Sequence, residues 1–259
     1  MKRIFVLFSL FFLTIGLVIL ADTIINNQPS SIVFPEIDQA VIDQAQARNV
    51  SIDLSTKEHA ARSSGILLNS HLVLVARHSV EAVLEDDWKK GDNFISVIKD
   101  SMIIQAKSVA FYQPTEFPDS LYFMKKLDLA LIELKKPGFP LAPQYNDSLL
   151  VNYWVKPETY LFLYNYRVPR VSDGVQFKKV FDIKVVKLFG AICYLVDAII
   201  EPGVSGTGLY TLEGRLAGVA IGYHTDTHLW IHTTSYGIVI PIHYLIYFTK
   251  PENLKVVIL

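Results

Sequence analysis

A serine between glycines is the feature of this sequence with the clearest capacity for chemistry. Ser205 lies in the stretch 201–209, directly after an apolar run. Glycine permits sharp turns and a close approach of the backbone to a ligand, so we expect this serine on an exposed turn. The N–H groups of Gly203 and Ser205 would then point into one small space, where two donors stabilise an oxyanion while the hydroxyl attacks a carbonyl. The same pattern also occurs in ordinary hairpin turns, so the chemistry requires partners elsewhere in the chain.

Two suitable partners lie upstream of this serine. His78 closely follows the apolar run 72–76, with Arg77 between them, and Asp128 precedes the apolar run 129–134. A core histidine at a strand end and a capping or turn aspartate are the alternative roles of these residues. Their order and distance along the chain predict a site built by folding from three separate segments.

The composition favours strands and gives no sign of nucleic-acid binding. A chain of 259 residues can form one large all-β domain or two small ones, and its 13 Tyr and 15 Phe favour strands. The net charge of −1 provides no basic field, so no nucleic acid is expected as a partner. Cys193 is the one cysteine, which excludes an intrachain disulfide. Its apolar surroundings predict a small buried side chain.

Short strand-like runs fall into two groups on either side of a proline-rich stretch, 136–143. The runs of the first group are 65–70, 72–76, 94–98, 102–111 and 127–134. Those of the second are 160–166, 175–181, 184–187, 192–200, 208–210, 216–221, 229–233 and 236–240. Two groups of short strands predict two β-barrels, and Pro241 is placed to open a final short helix over 241–248.

Three separated motifs resemble those of trypsin-like serine proteases. Residues 63–80, SSGILLNSHLVLVARHSV, resemble the histidine motif, and 127–134, LDLALIEL, resemble the aspartate motif. Residues 197–206, DAIIEPGVSG, and 237–242, GIVIPI, are similar to the serine motif and the ending of bacterial HtrA-type proteases. The order His, Asp, Ser is that of chymotrypsin-like enzymes, not of subtilisins or α/β-hydrolases. The resemblance covers about residues 60–248, with no PDZ domain expected after it.

This resemblance implies an all-β fold of two six-stranded antiparallel β-barrels with a short C-terminal helix. It assigns catalysis to His78 and Asp128 of the first barrel and Ser205 of the second, with the oxyanion hole formed by the Gly203 and Ser205 N–H groups. His78 would take the Ser205 proton as the hydroxyl attacks a peptide carbonyl, and Asp128 would fix the imidazole tautomer. The substrate would be a protein or peptide, and no cofactor or metal is implied.

Three positions depart from the trypsin pattern. Arg77 replaces the small residue usual before the histidine, where it either faces solvent or crowds the triad. Val204 replaces the aspartate that pairs with a new N-terminus in trypsins, so we expect no zymogen switch of that kind. Ile199 takes the floor position of the substrate pocket and predicts a preference for small or aliphatic residues. A catalytically inactive trypsin-fold binding protein is the alternative that Arg77 and Val204 leave open.

A metal site is the weaker interpretation of three histidines near the end of the sequence. His224, His228 and His232 share one parity and could lie on one face of a strand. Threonines and an aspartate between them favour a loop with surface histidines, so no metal is predicted.

The N-terminus predicts export from the cytoplasm. A positive start is followed by the uncharged apolar run 4–20, the small residue Ala21 and polar Asp22, as in a secretory signal peptide. A retained membrane anchor is the rival interpretation, because about 20 apolar residues span a bilayer. Both place the remainder outside the cytoplasm, secreted or periplasmic.

The sequence divides into three predicted parts. They are a signal peptide or anchor at 1–21, an N-terminal extension at 22–58 with a short helix at 37–47, and a protease-like domain at 59–250. Within the last part, barrel one is expected at about 59–136 and barrel two at about 158–240.

Overall fold

The fold was obtained as a computed structural model, which describes residues 35–55, 60–84, 93–114, 124, 127–139, 154–165, 174–197, 200–228 and 232–259. The elements described below lie in the compact unit Ile37–Leu259. The predicted signal peptide or anchor lies outside the described residues. Among the helices that are described, none has the length and apolar character needed to cross a membrane.

Strands dominate the described part of the chain. Helix α1 (Gln39–Arg48) comes first. The following strands are β1 (Asn49–Ser55), β2 (Ala60–Asn69), β3 (Leu72–Ala76), β4 (Phe94–Lys99), β5 (Met102–Tyr112) and β6 (Leu129–Leu134). Next come β7 (Tyr160–Asn165), β8 (Gly174–Val186), β9 (Ala191–Val196), β10 (Gly208–Tyr210), β11 (Leu216–His228) and β12 (His232–Pro241). The 3₁₀-helices Ile242–Thr249 and Pro251–Asn253 then lead to β13 (Leu254–Ile258).

The first barrel is a closed ring of six antiparallel strands. Around the ring, β1 pairs with β2, β2 with β3, β3 with β6, β6 with β5, β5 with β4 and β4 with β1. Apolar side chains that alternate along these strands, such as Val50 and Ile52 of β1, fill its interior. The second half of β5 also pairs on its other side with β13.

The second barrel is a closed ring in the order β7, β8, β9, β12, β11 and β10. Its interior holds an apolar cluster that includes Leu161, Val180, Tyr194 and Val239. A third buried cluster combines residues of both barrels, among them Leu74 of β3 and Leu195 of β9. The predicted all-β fold of two six-stranded antiparallel barrels is therefore confirmed, and the final short helix takes the 3₁₀ form.

The boundaries of the first barrel differ from those expected. Strand β1 falls within the stretch 22–58 that the sequence analysis set apart as an extension, and β13 lies beyond residue 250. Helix α1, in the same stretch, does not join the sheets, and its residue Ala45 is buried in the shared core between the barrels.

The three histidines near the end of the sequence lie on paired strands and not in the loop that was expected. His224 and His228 lie on β11, His232 lies on β12, and His228 is directly opposite His232 in the strand pairing. β-branched threonines favour extended backbone, which explains why the pairing of β11 and β12 continues through this segment.

Candidate active site

His78 and Asp128 are brought together by the pairing of β3 with β6. These strands are antiparallel, and Ala76 at the end of β3 lies opposite Leu129 at the start of β6. His78 follows β3 in a 3₁₀-turn, and Asp128 directly precedes β6. The Arg77 N–H donates to the Asp128 carbonyl oxygen at 3.2 Å, which holds the two segments side by side.

The Asp128 carboxylate holds both the ring and the backbone of His78. Its Oδ2 lies 2.7 Å from His78 Nδ1, and its Oδ1 accepts from the His78 backbone N–H at 2.8 Å. A carboxylate oxygen accepts, so this contact keeps the proton of a neutral imidazole on Nδ1 and leaves the Nε2 lone pair available. The Asp128 side chain is 9% exposed and that of His78 is 44% exposed. A buried anion thus orients an accessible base.

This anion raises the pKa of His78 despite partial burial. Burial lowers the pKa of the imidazole, but the hydrogen bond and charge of Asp128, together with the charge of Glu81, outweigh that effect and raise it above 6.5. An imidazole with a raised pKa binds a proton more tightly. A proton accepted by the His78 ring would therefore be held more tightly than by an imidazole in solution.

Residues of the second barrel also contact Asp128. The Asp128 N–H donates to the carbonyl oxygen of Phe189, in the turn between β8 and β9, at 2.9 Å. Cys193 of β9 is fully buried, and burial, with the Asp128 charge adding to it, raises the pKa of its thiol to about 12. The thiol is therefore neutral at physiological pH, as expected of a packing residue.

Ser205 lies on a turn with two glycines in conformations that other residues rarely adopt. Gly203 and Gly206 each have a φ of +92°. The Gly206 N–H donates to the Ala220 carbonyl oxygen of β11 at 2.7 Å. Val204 is buried among the apolar residues inside the second barrel. Backbone bonds and this apolar anchor together determine where the turn lies.

The same turn docks against the first barrel beside His78. The N–H of Ser64, on β2, donates to the Ser205 carbonyl oxygen at 2.9 Å. A Cβ on Gly206 would lie 1.9 Å from the Ser64 carbonyl oxygen and 3.5 Å from the backbone nitrogen of Ala76. Since Ala76 is two residues before His78, the serine turn and the histidine occupy neighbouring segments.

The Ser205 hydroxyl itself is turned toward β11. Its Oγ donates to the carbonyl oxygen of Ile221 at 2.7 Å. Within the described residues no hydrogen bond joins Ser205 to His78. The structure thus puts His78 and Asp128 in direct contact and Ser205 on the adjoining turn, with its hydroxyl bonded to another acceptor.

The backbone N–H groups of Gly203 and Ser205 are both available as donors. In the described part of the chain neither donates a hydrogen bond, whereas the Val204 N–H between them donates to Glu201 at 3.1 Å. Two unused donors on one turn could bind an oxyanion, and this role stays a prediction.

Of the departures from the trypsin pattern, Arg77 lies within the described residues and Ile199 does not. The Arg77 side chain pairs with Glu81 at 3.0 Å and lies 5.5 Å over the ring of Phe111, so it packs against the first barrel with only 16% of its side chain exposed. Ile199, the predicted floor of the substrate pocket, lies outside the described residues, and its role stays a prediction.

Ser64 is a site residue that the sequence analysis did not single out. Besides the bond from its N–H, its Oγ donates to the Gly203 carbonyl oxygen at 3.0 Å. The residue stands in the histidine motif, in a Ser-Ser-Gly sequence before β3, but the sequence alone does not reveal that it meets the serine turn. That contact depends on how the two barrels pack.

Comparison with known proteins relates this architecture to one group of enzymes. No family model and no curated protein matches the sequence. Among solved structures, the chain is similar to the HtrA-type protease AlgW with tripeptide, at a TM-score of 0.53 and 16% identity. This match covers 80% of the present chain and 60% of the AlgW chain.

Two further proteases match over most of their length. The active form of the Rv3671c protease from M. tuberculosis matches with a TM-score of 0.54 and 16% identity over 82% of this chain and 86% of its own. Deg5 matches with a TM-score of 0.55 and 15% identity over 82% and 94% of the two chains. The chain therefore has the fold of the HtrA-type, trypsin-like serine proteases.

Proposed function

We propose that the protein is an exported serine endopeptidase that hydrolyses peptide bonds through Ser205, His78 and Asp128. The observation that carries this proposal is the 2.7 Å contact between His78 Nδ1 and Asp128 Oδ2, beside the glycine turn that bears Ser205. The likeness in fold to solved serine proteases supports the same reaction class.

In the proposed reaction His78 Nε2 removes the hydroxyl proton of Ser205 as Oγ attacks the carbonyl carbon of the scissile peptide bond. The Gly203 and Ser205 N–H groups hold the oxyanion that forms. His78 then donates its proton to the leaving amine, and the acyl-enzyme remains. A water molecule, deprotonated by His78, releases the acyl group and restores the serine.

For this reaction Ser205 has to exchange one hydrogen bond for another. Its Oγ donates to the Ile221 carbonyl oxygen, and a change of χ1 rotamer would break that bond and free the hydroxyl for the proposed bond to His78. Catalytic hydrogen bonds are often formed only when substrate is bound, so the present geometry is compatible with an active enzyme.

The same observation favours one alternative, a catalytically silent trypsin-fold binding protein. If the bond from Ser205 to Ile221 persisted with substrate bound, the hydroxyl would not be activated. Cleavage of a diverse peptide library separates the two functions. We expect the wild-type protein to cleave, Ser205→Ala to be inactive, and Ser70→Ala, which removes a partly exposed hydroxyl from the β2–β3 turn, to match the wild type. Binding without cleavage would support the alternative.

The library also tests the proposed substrate preference. With apolar Ile199 at the pocket floor, we propose cleavage after small or aliphatic residues. Efficient cleavage after Lys or Arg would refute this.

The proposal of export rests on the apolar run 4–20 near the start of the sequence, which we propose is removed as a signal peptide or retained as an anchor. The mature N-terminus, measured by mass spectrometry, distinguishes these two outcomes.

A further inference from the structure

We propose that Ser64 is a positioning residue for the oxyanion turn, residues 201–206: its hydroxyl, on the first barrel, holds the Gly203 carbonyl so that the neighbouring N–H donors face the substrate. This inference rests on the proposed function. Strand β2 of the first barrel contributes no reacting group. Through Ser64 it would nevertheless support the chemistry of the serine turn on the second barrel.

The geometry shows one residue holding two alternate carbonyls of the turn. The Ser64 N–H donates to the Ser205 carbonyl oxygen at 2.9 Å, and its Oγ donates to the Gly203 carbonyl oxygen at 3.0 Å. Ser64 is 1% exposed, so water does not compete readily for either bond. The backbone of Gly206 also lies directly against the Ser64 carbonyl group.

The bond to the Gly203 carbonyl matters because the backbone torsion angles of a glycine are otherwise little restricted. A peptide unit is planar, so fixing its oxygen fixes the orientation of the whole unit between Gly203 and Val204. The two predicted oxyanion donors belong to the peptide units on either side of it. Gly203 has a φ of +92°, in a region where only glycine has wide freedom, and the side chain of Ser64 restricts that freedom from outside the turn.

Stabilisation of an oxyanion depends on donors that are already aligned when charge develops. One neutral hydrogen bond contributes about 1 kcal/mol, which corresponds to roughly a fivefold change in rate if it is expressed only in the transition state. We therefore expect removal of the Ser64 hydroxyl to slow the reaction by about five- to tenfold without weakening the initial binding of a probe.

The adjacent residue provides a matched control. Ser63 is 8% exposed, and its buried Oγ has no hydrogen-bond partner among the described residues. Ser63→Ala and Ser64→Ala each remove one buried hydroxyl from neighbouring positions of β2. Only the second removes a bond to the turn.

The test is saturation kinetics of a rhodamine fluorophosphonate with the full chain, which separates the affinity of the probe (KI) from the rate of the chemical step (kinact). We expect Ser64→Ala to lower kinact about five- to tenfold with KI unchanged, and Ser63→Ala to keep both values. Equal kinact in the two variants, or a loss confined to KI, would overturn the positioning role.

Amide hydrogen exchange of the turn keeps the inference testable if the proposed function fails. An unreactive wild-type protein would refute the endopeptidase, and exchange at residues 203–206 would then decide the role of Ser64. Faster exchange in Ser64→Ala than in Ser63→Ala supports positioning of the turn. Equal exchange in the two variants contradicts it.

Discussion

Gly206→Ala should damage the protein at the contact between its two barrels. The added Cβ would lie 1.9 Å from the Ser64 carbonyl oxygen and 2.8 Å from the Ser64 carbonyl carbon, where separations under 3.0 Å are essentially never found. Both neighbours are backbone atoms, so no side chain can rotate to relieve the overlap. One of the two segments must move by about 1 Å.

The cost of this movement has two parts. The φ of +92° at Gly206 strains any residue with a Cβ, by about 1–3 kcal/mol. The displacement also weakens the bonds from Ser64 to Ser205 and from Gly206 to Ala220, each of which contributes about 1 kcal/mol. We therefore expect Gly206→Ala to lower the free energy of unfolding by about 3–5 kcal/mol and to slow fluorophosphonate labelling.

Gly174→Ala is a control that carries the backbone strain of a positive φ without the steric overlap of an added Cβ. Gly174 also has a positive φ, +138°, but a Cβ there would meet nothing within 4 Å. Urea denaturation of both variants measures the difference, and we expect Gly206→Ala to be less stable than Gly174→Ala by about 2 kcal/mol. Equal stability of the two would refute the close contact between the serine turn and the first barrel.

Three further predictions follow from the same site and from the contact between the barrels. His78 must be neutral to act as a base, and its pKa is raised, so the rate of fluorophosphonate labelling should rise with pH along a titration curve whose midpoint lies above 6.5. Glu81→Gln removes one of the charges that raise this pKa and should lower the midpoint. A midpoint at or below 6.5 in the wild type would contradict this. Cys193, with its pKa raised to about 12, should react with a thiol reagent only in denaturant, and rapid reaction of the native protein would contradict its burial. Asn49→Ala should lower the free energy of unfolding by about 1–2 kcal/mol, because Nδ2 donates to the Tyr164 carbonyl oxygen across the barrels at 2.6 Å, and unchanged stability in urea would show that this bond contributes nothing.

The sequence indicated most of the fold because the strands carry strong local signals. The runs at 72–76, 94–98 and 208–210 coincide closely with β3, β4 and β10. Strand β1 was missed although its residues 49–55 alternate polar and apolar side chains, because the stretch precedes the motifs and ends beside charged residues. The longer strand β8 was predicted as two runs, and the register shift between Val180 and Asp182 marks the break in its pattern.

The site was less predictable than the fold, for a physical reason. The pairing of β3 with β6 explains the contact between His78 and Asp128, and strand order implies it. The position of Ser205 depends instead on the packing of one barrel against the other, through Ser64 and Gly206. Long-range packing of this kind leaves no periodic pattern in the sequence. The direction of the Ser205 hydroxyl, toward Ile221, depends on a single rotamer and could not be predicted.

The most direct measurement is the site of covalent modification by a fluorophosphonate, identified by tryptic mass spectrometry of the folded full chain. The reaction needs a nucleophile, a base and an oxyanion site together, so it reports on all three at once. We predict one adduct, on Ser205, that is absent from Ser205→Ala and strongly reduced in His78→Ala. An unmodified folded protein, or an adduct on any other residue, would contradict the proposal that Ser205 is the nucleophile activated by His78.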